Sequence, residues 1–176
     1  DFRFGNNREG DITFTQNLGK LNNFDVVPTP STLFRGERIS STKIRQALAV
    51  SDFGLVKSLL GRAYSISGRV VYGRQIGRTL GAPTANVNLG RLSSPLCGVY
   101  AVKVDGPTMS NVLGVANIGV RPTVNDSMQA NLEVHLFDFD AQIYGHRIEV
   151  TFLSKIREEK KFSSLDELKV NIANDL

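Results

Sequence analysis

Residues 99–118, VYAVKVDGPTMSNVLGVANI, show a pattern that recurs through the second half of the chain. Two apolar, β-branched runs stand on either side of a segment that contains Gly, Pro and Asn. Short runs of this composition are typical of β-strands, and the residues between them mark a reversal of the chain. The stretch therefore predicts two strands, at residues 99–104 and 112–118.

The same pattern extends in both directions, beginning near Tyr64. Further candidate strands lie at residues 66–72, 132–137 and 147–153, with Gly, Pro and Asn between the runs. No helical pattern intervenes, although parallel βαβ units would require helices between their strands. Five short strands of this kind favour a mainly β fold, either an antiparallel sandwich or a small barrel.

The C-terminal tail has the pattern of a helix. Residues 164–167 have the spacing of a capping box, and Leu168 and Ile172 then share a face with Leu165. The sequence therefore predicts one amphipathic helix that packs against the strands.

The first part of the chain, residues 1–62, has a mixed composition and contains two segments with the pattern of a helix. One helix is expected to start with Ser41 as its N-cap, and the other to run from Ser51 or Asp52 to a stop at Gly61. The segment is too short and too poor in apolar surface to be a secure domain by itself. We expect a domain boundary after residue 62, with a second domain continuing to residue 176.

Composition and charge narrow the classes of protein. The formal net charge of +4 and the pI near 9.4 suit anionic ligands, but so small an excess is weak support for nucleic acid. The single cysteine, Cys97, cannot form an intrachain disulfide, and no Cys/His cluster has metal-ligand spacing. No apolar run approaches the roughly 20 residues that span a bilayer. We expect a cytoplasmic protein without a membrane partner.

The densest group of glycines lies at residues 73–86, GRQIGRTLGAPTAN. Three glycines are spaced by four residues, with Arg74 and Arg78 between them. The backbone amides of such a loop can approach a phosphate chain while the guanidinium groups neutralise its charge. The loop has neither the Walker pattern nor the dinucleotide fingerprint. It is therefore either a polyphosphate cradle or a mobile turn with a solvated basic face.

Thr84 and Asn86 close this loop, two residues apart. An extended backbone would place both side chains on the same face. A hydroxyl and an amide oxygen are ligands that Mg²⁺ accepts together with waters and substrate phosphates. The pair could therefore hold a magnesium ion, or could merely satisfy a turn.

Glu133 lies in the candidate strand around residues 131–137. The apolar residues at 132, 134 and 136 share one face of this strand, whereas Glu133 and His135 share the other. A carboxylate near a substrate hydroxyl can accept its proton as the oxygen attacks phosphorus. Glu133 is therefore either a general base or an exposed strand glutamate without a role.

Taken together, the motifs of residues 64–176 resemble those of the riboflavin kinases, and they occur in that family's order. They are residues 73–86, Gly98-Val99-Tyr100, Asn117-Ile118-Gly119, Glu133-Val134-His135-Leu136, Tyr144-Gly145 and the pair Arg157 and Phe162. The resemblance implies a six-stranded antiparallel flavokinase-type barrel with a C-terminal helix, one strand more than the pattern reveals. The missing strand is expected near residues 142–144 or 91–96.

The resemblance also implies roles for single residues in a kinase that converts riboflavin and ATP to FMN and ADP. Glu133 would be the general base toward the 5′-hydroxyl of riboflavin. Mg²⁺ and the ATP phosphates would be held by Thr84 and Asn86. The rest of the ATP site would comprise Gly73, Arg78, Leu136 and Tyr144. The flavin site would include Arg157, Lys160 and Phe162.

The front of the chain resembles the end of the adenylyltransferase module that precedes this kinase in bacterial bifunctional FAD synthetases. Residues 1–5 and 39–45 match its later motifs, which implies a partial α/β nucleotidyltransferase remnant. In that remnant, nucleotide phosphates would meet a helix start at Ser41, Thr42, Lys43 and Arg45. The module's early His-x-x-His motif is absent, and the chain begins without Met. We expect an upstream module in a longer protein, and no conversion of FMN to FAD by this chain alone.

Two other classes of protein remain open on the sequence. A small nucleic-acid-binding barrel would use the positive charge and would stack bases on Tyr64, Tyr72 and Tyr100. A flavin-binding barrel without catalysis would not need Thr84, Asn86 or Glu133. Small-molecule substrates, and no nucleic acid, are the partners that we expect.

Overall fold

The computed structural model describes residues 3–73, 84–90, 94–122 and 128–159. The chain divides into two compact units, and the division falls between Ile39 and Ser40. None of the helices in the described ranges is long and apolar enough to cross a bilayer.

The first unit contains a 3₁₀ turn (Asn6–Arg8), a helix α1 (Ile12–Asn22) and two very short paired strands, β1 (Leu33–Phe34) and β2 (Glu37–Arg38). Helix α1 begins after Asp11, whose carboxylate accepts a hydrogen bond of 2.8 Å from the backbone N–H of Phe14. It ends at Asn23, which adopts the left-handed conformation with a φ of 55°. The sequence analysis did not predict this helix.

The second unit begins with the two helices that the sequence predicts, α2 (Ser41–Ala49) and α3 (Phe53–Leu60). The N-cap of α2 is Ser40, whose hydroxyl accepts from the N–H of Lys43 at 3.2 Å, so the choice of Ser41 as the cap was wrong by one residue. Helix α3 is capped by Asp52 and ends at Gly61 in the left-handed conformation, as predicted.

Six antiparallel strands follow and close into a barrel in the order β3-β4-β7-β6-β5-β8. Their bounds are β3 Ser65–Val71, β4 Thr84–Asn88, β5 Gly98–Gly106, β6 Met109–Pro122, β7 Met128–Leu136 and β8 Arg147–Arg157. The predicted mainly β class, the six-stranded barrel and the five candidate strands are confirmed. The expected place of the sixth strand was wrong, because it is β4, which starts at the predicted Mg²⁺ residue Thr84 itself.

Alternate residues of the strands face inward and form the core. The inward residues that are at most 2% exposed are Ile66, Val70, Val87, Tyr100, Val102, Val104, Ala116, Ile118, Leu132, Val134, Ile148, Val150 and Phe152. Because the side-chain period of a strand is two, the residues between them point to the outside of the barrel. Thr84, Asn86, Asn117 and Glu133 therefore share the outer surface.

The helices of the second unit share this core. Phe53 of α3 stacks on Phe152 with a centroid distance of 6.2 Å and meets the edge of Tyr100 at 5.9 Å. Ala47 and Leu48 of α2 are buried in the same cluster. Residues on both sides of position 62 thus contribute to one hydrophobic core. The predicted domain boundary at 62/63 stays a prediction, and it does not coincide with a limit of this core. The predicted C-terminal helix lies outside the described residues.

Two of the three tyrosines proposed for base stacking pack in this core instead. Tyr100 is 1% exposed, and Tyr64 packs against Phe152 with a centroid distance of 5.9 Å. Only Tyr72 of the three is largely exposed, at 72%. These tyrosines therefore do not form the exposed aromatic row that a nucleic-acid-binding barrel would need.

Candidate active site

Three polar side chains lie side by side on the outer surface of β4, β7 and β6. Asn86 is directly opposite Glu133, and Glu133 is directly opposite Asn117. Residues opposite each other in adjacent strands project to the same face with Cβ atoms about 5 Å apart. All three are half-buried. We refer to Asn86, Glu133 and Asn117 as the polar row.

Amide groups surround the carboxylate in the middle of the polar row. Asn131, two residues before Glu133 on the same face, donates from Nδ2 to Glu133 Oε1 at 3.1 Å. Thr84 stands opposite His135, two residues along from the pair of Asn86 and Glu133, so the two predicted Mg²⁺ residues and Glu133 occupy one face.

Gly73 holds the side chain of Asn86 against β3. A Cβ atom at Gly73 would overlap the amide group of Asn86, so only glycine leaves room for that amide in its present position. Gly73 therefore helps to set the orientation of Asn86 from the neighbouring strand end. Arg78, the other ATP residue that the resemblance implies in this loop, lies outside the described residues.

A cleft of about 360 Å³ adjoins the polar row at Thr84. Three predicted ATP residues line it, namely Thr84, Leu136 and Tyr144, together with Val70, Ala85, Val134 and residues 139–143. At its edge the ring of Tyr144 stacks on Tyr72, with centroids 4.1 Å apart and planes at 16°. Apolar and aromatic walls with a few polar groups are typical of sites for small ligands.

Arg157, the first predicted flavin residue, lies at the end of β8 and pairs with Val99, which in turn pairs with Asn117. The register thus continues from the polar row across β5 to Arg157. Beyond it, the carboxylate of Glu159 occupies the space over Gly119, where a Cβ atom would overlap it. The start of the predicted flavin segment therefore lies on the same outer surface as the polar row. Lys160 and Phe162 fall outside the described residues.

The oxygen donors present suit Mg²⁺. In the described part of the chain no group of three His, Cys, Asp or Glu side chains could hold a metal ion. Thr84 and Asn86 instead offer a hydroxyl and an amide oxygen on one face, and Glu133 lies opposite Asn86. Mg²⁺ takes few protein oxygens when substrate phosphates and water complete its shell, so these two oxygens are compatible with such a site.

The predicted remnant residues lie at the beginning of α2. Ser41, Thr42 and Lys43 form its first turn and Arg45 follows, with Ser41, Thr42 and Arg45 exposed. The backbone N–H of Lys43 donates to the Ser40 hydroxyl. The role of these residues in nucleotide binding stays a prediction.

Cys97 takes no part in the site. Partial burial raises the pKa of its thiol, and the carboxylate of Glu159, 3.8 Å from Sγ, raises that pKa further. The thiolate is the nucleophilic form, and a raised pKa makes it scarce near neutral pH. This environment does not favour a nucleophilic role for Cys97.

Sequence reasoning gave Asn131 no role, quoted Asn117 only as part of a family motif, and considered Tyr72 only for the stacking of bases. Asn131 precedes Glu133 by two residues, so the period of a strand could have predicted that it shares the face of Glu133. Asn117 and Tyr72 come close to the site through strand pairing and ring stacking, neither of which is visible in one sequence.

Comparisons with known proteins show the family of the chain. The flavokinase family model, described as riboflavin kinase, matches residues 60–176. Bifunctional riboflavin kinase/FMN adenylyltransferase of Escherichia coli K12 is 53% identical over 175 residues, which cover 99% of this chain and 56% of that protein. The enzyme of the same name from Haemophilus influenzae is 50% identical over 100% of this chain and 57% of its own length.

A solved structure shows the same fold. A crystal structure described as a macrolide-efflux protein from Streptococcus pneumoniae superposes with a TM-score of 0.71 and 33% identity, covering 99% of this chain and 56% of that one. This chain thus spans little more than half the length of the proteins that it matches.

The closed six-stranded antiparallel barrel and the match to the flavokinase model together define the class of protein as a flavokinase. The chain belongs to the riboflavin kinase family, through the domain at residues 60–176. The names of its bifunctional relatives also include FMN adenylyltransferase.

Proposed function

We propose that this chain transfers the γ-phosphate of ATP to the 5′-hydroxyl of riboflavin with Mg²⁺, giving FMN and ADP, at the polar row on the outer face of the barrel. The observation that carries this proposal is the register that sets Asn86 opposite Glu133, next to the cleft lined by Thr84. A metal ligand and a base thus stand one strand spacing apart, about 4.8 Å. Phosphoryl transfer needs little more from the protein than positioning and charge neutralisation.

Glu133 acts as the general base in this scheme. Its carboxylate accepts the proton of the 5′-hydroxyl while the hydroxyl oxygen bonds to the γ-phosphorus and the bond from that phosphorus to the bridging oxygen of ADP breaks. The amide of Asn131, bonded to Oε1 at 3.1 Å, fixes the carboxylate plane. A carboxylate that is already held in one plane loses less conformational entropy when it reaches the reactive geometry.

ATP occupies the cleft in this scheme, with its base toward Leu136 and Tyr144 and its phosphates toward Thr84. Gly73 leaves room for the Asn86 amide, because a Cβ atom at that position would overlap it. Bound Mg²⁺ would draw charge from the phosphate oxygens, and Thr84 and Asn86 would hold it. Arg78 would add a cation to the same polyphosphate, in keeping with the Gly/Arg composition of its loop.

Riboflavin approaches from the opposite direction, along the outer face of β6 and β5. Arg157, Lys160 and Phe162 form part of its ring site, so the ribityl chain points from the end of β8 toward Glu133. The position of Arg157 on the register line through Val99 and Asn117 supports this direction.

The Asn86→Ala variant tests the metal assignment. The variant loses an amide oxygen on Mg²⁺, so we expect kcat/KM for ATP to fall about tenfold or more and the Mg²⁺ needed for half-maximal rate to rise. Steady-state rates of FMN formation at a series of Mg²⁺ concentrations measure both quantities.

Asn88→Ala is the matched control for this variant. Asn88 lies two residues further along β4, is exposed, and accepts a hydrogen bond of 2.9 Å from the backbone N–H of the nearby Gly90. We expect its Mg²⁺ dependence to equal that of the wild type. An Asn86→Ala enzyme with a wild-type Mg²⁺ curve would remove Asn86 from the metal site.

The segment before residue 63 is, in this proposal, the end of an adenylyltransferase module whose larger part lies upstream in a longer protein. The matches to bifunctional relatives cover 99–100% of the chain, whereas the kinase family model starts only at residue 60, which supports this origin. Ser41, Thr42, Lys43 and Arg45 would then serve the second activity of the longer protein. A cytoplasmic, reducing location fits its single cysteine.

A further inference from the structure

The amide oxygen of Asn117 is buried but has no hydrogen-bond partner within the described ranges of the chain. Asn117 belongs to the polar row, directly opposite Glu133 on β7. Buried carbonyl oxygens in folded proteins nearly always accept a hydrogen bond, and the exceptions tend to mark a function or an absent ligand. The oxygen of Asn117 is therefore placed to receive a donor that the described residues do not supply.

The immediate neighbours of Asn117 on the outer face explain why that oxygen lacks a partner. Across the strands stand Glu133, whose carboxylate is an acceptor, and Val99, which is apolar. Along β6 the same face continues with Val115 and Gly119, neither of which has a donor side chain. The nearest amide across the sheet, that of Asn131, donates to Glu133.

We propose that Asn117 Oδ1 accepts a hydrogen bond from a hydroxyl group of the ribityl chain of riboflavin, and that Asn117 is thus a substrate-binding residue. The inference rests on the proposed function, because it takes Glu133 as the base at the terminal hydroxyl. Asn117 is one strand spacing from Glu133, about 4.8 Å, which is within the length of an extended polyol chain of five carbons. A chain that ends at Glu133 and leads toward Arg157 passes over Asn117.

The direction of the hydrogen bond gives the site its selectivity. A ribityl hydroxyl is a donor, whereas a phosphate oxygen or a carbonyl of the flavin ring is an acceptor and would face Oδ1 unfavourably. Asn117 therefore distinguishes a flavin that carries the polyol from one that lacks it.

The Asn117→Leu variant tests the inference, because leucine has nearly the shape of asparagine but no acceptor. We expect riboflavin to bind about tenfold more weakly to the variant, the usual loss for one hydrogen bond in a dry site. Lumiflavin, which has the flavin ring without the ribityl chain, should bind equally well to the variant and the wild type. Quenching of flavin fluorescence measures both dissociation constants.

A melting experiment on the ligand-free proteins separates substrate binding from a structural role. Replacing an unpaired buried amide by an apolar group of the same shape is neutral or stabilising, so the variant should melt at or above the wild-type temperature. Asn88→Leu, on the exposed outer face of β4, is the matched control and should leave both flavin affinities unchanged.

Two results would overturn the inference: unchanged riboflavin binding by Asn117→Leu, or an equal loss for lumiflavin. If the wild-type protein still forms FMN, neither of these results would contradict the proposed function. A wild-type protein that neither binds riboflavin nor forms FMN would overturn both.

Discussion

The Glu133→Gln variant is expected to form FMN with a kcat at least about 100-fold below the wild-type value, the usual contribution of general-base catalysis. Glutamine keeps the size of the side chain and can still contact Asn131, but it cannot take the proton of the 5′-hydroxyl. Riboflavin binding should change little, because the base acts mainly as the new bond forms. Steady-state kinetics together with a riboflavin dissociation constant measure the two effects separately.

Glu149→Gln is the matched control for the loss of a carboxylate. Glu149 lies on the outer face of β8, is exposed, and accepts a hydrogen bond from the Ser65 hydroxyl. We expect its kcat to equal that of the wild type. If Glu133→Gln kept the wild-type kcat, Glu133 would not be the base. The position of Asn86 opposite Glu133 would then no longer support the proposed mechanism.

The Phe152→Ala variant is expected to lower the free energy of unfolding of the barrel by about 3–5 kcal/mol, the range for a buried phenylalanine. Phe152 is 2% exposed and stacks on Phe53 of α3, and its edge meets Tyr100 at a centroid distance of 5.4 Å. The substitution would leave a cavity at the place where α3 joins the barrel. Urea denaturation followed by circular dichroism measures the change.

Leu153→Ala, one residue further along β8, provides the comparison. Leu153 is 47% exposed, so we expect a change below about 1 kcal/mol. Equal losses for the two variants would contradict the assignment of Phe152 to a shared core. Such a result would also weaken the case that α2 and α3 form one folded unit with the barrel.

The barrel could be predicted from its apolar runs because burial on one face enforces the period of two. Val102, Val104, Val134 and Val150 all belong to such runs and all point inward. Strand β4 was not predicted from this pattern, because Asn86 and Asn88 alternate with its few apolar residues and asparagine is rare in strands. Its extended conformation comes from pairing with β3 and β7 on both sides, which is a tertiary effect.

Helix ends illustrate the same difference. Asp52 and Gly61 give α3 an unambiguous start and stop, so its limits could be predicted from local chemistry. Ser40 and Ser41 are adjacent hydroxyl residues, and only the geometry distinguishes which one caps α2. Helix α1 contains three threonine or asparagine residues before Gly19, which obscures its pattern despite a good cap at Asp11.

Candidate site residues could be predicted singly, but their pairing could not. The period of a strand places Glu133 away from the core and Thr84 beside Asn86 on one face, and the structure has both features. That Asn86 faces Glu133, with Asn117 on the far side, depends on the register of three strands. Register is set by packing across the whole barrel, so it could not be predicted from the local pattern of one sequence.

The most direct test of phosphoryl transfer at the polar row uses the purified chain with riboflavin, Mg²⁺ and ATP labelled on either its γ- or its α-phosphate, followed by separation of the flavins. We predict that the γ-label appears on FMN, that Glu133→Gln suppresses this transfer, and that no α-label appears on FAD, since we propose that residues 1–62 are only the end of an adenylyltransferase module. A folded chain that puts no γ-label on riboflavin would contradict the account.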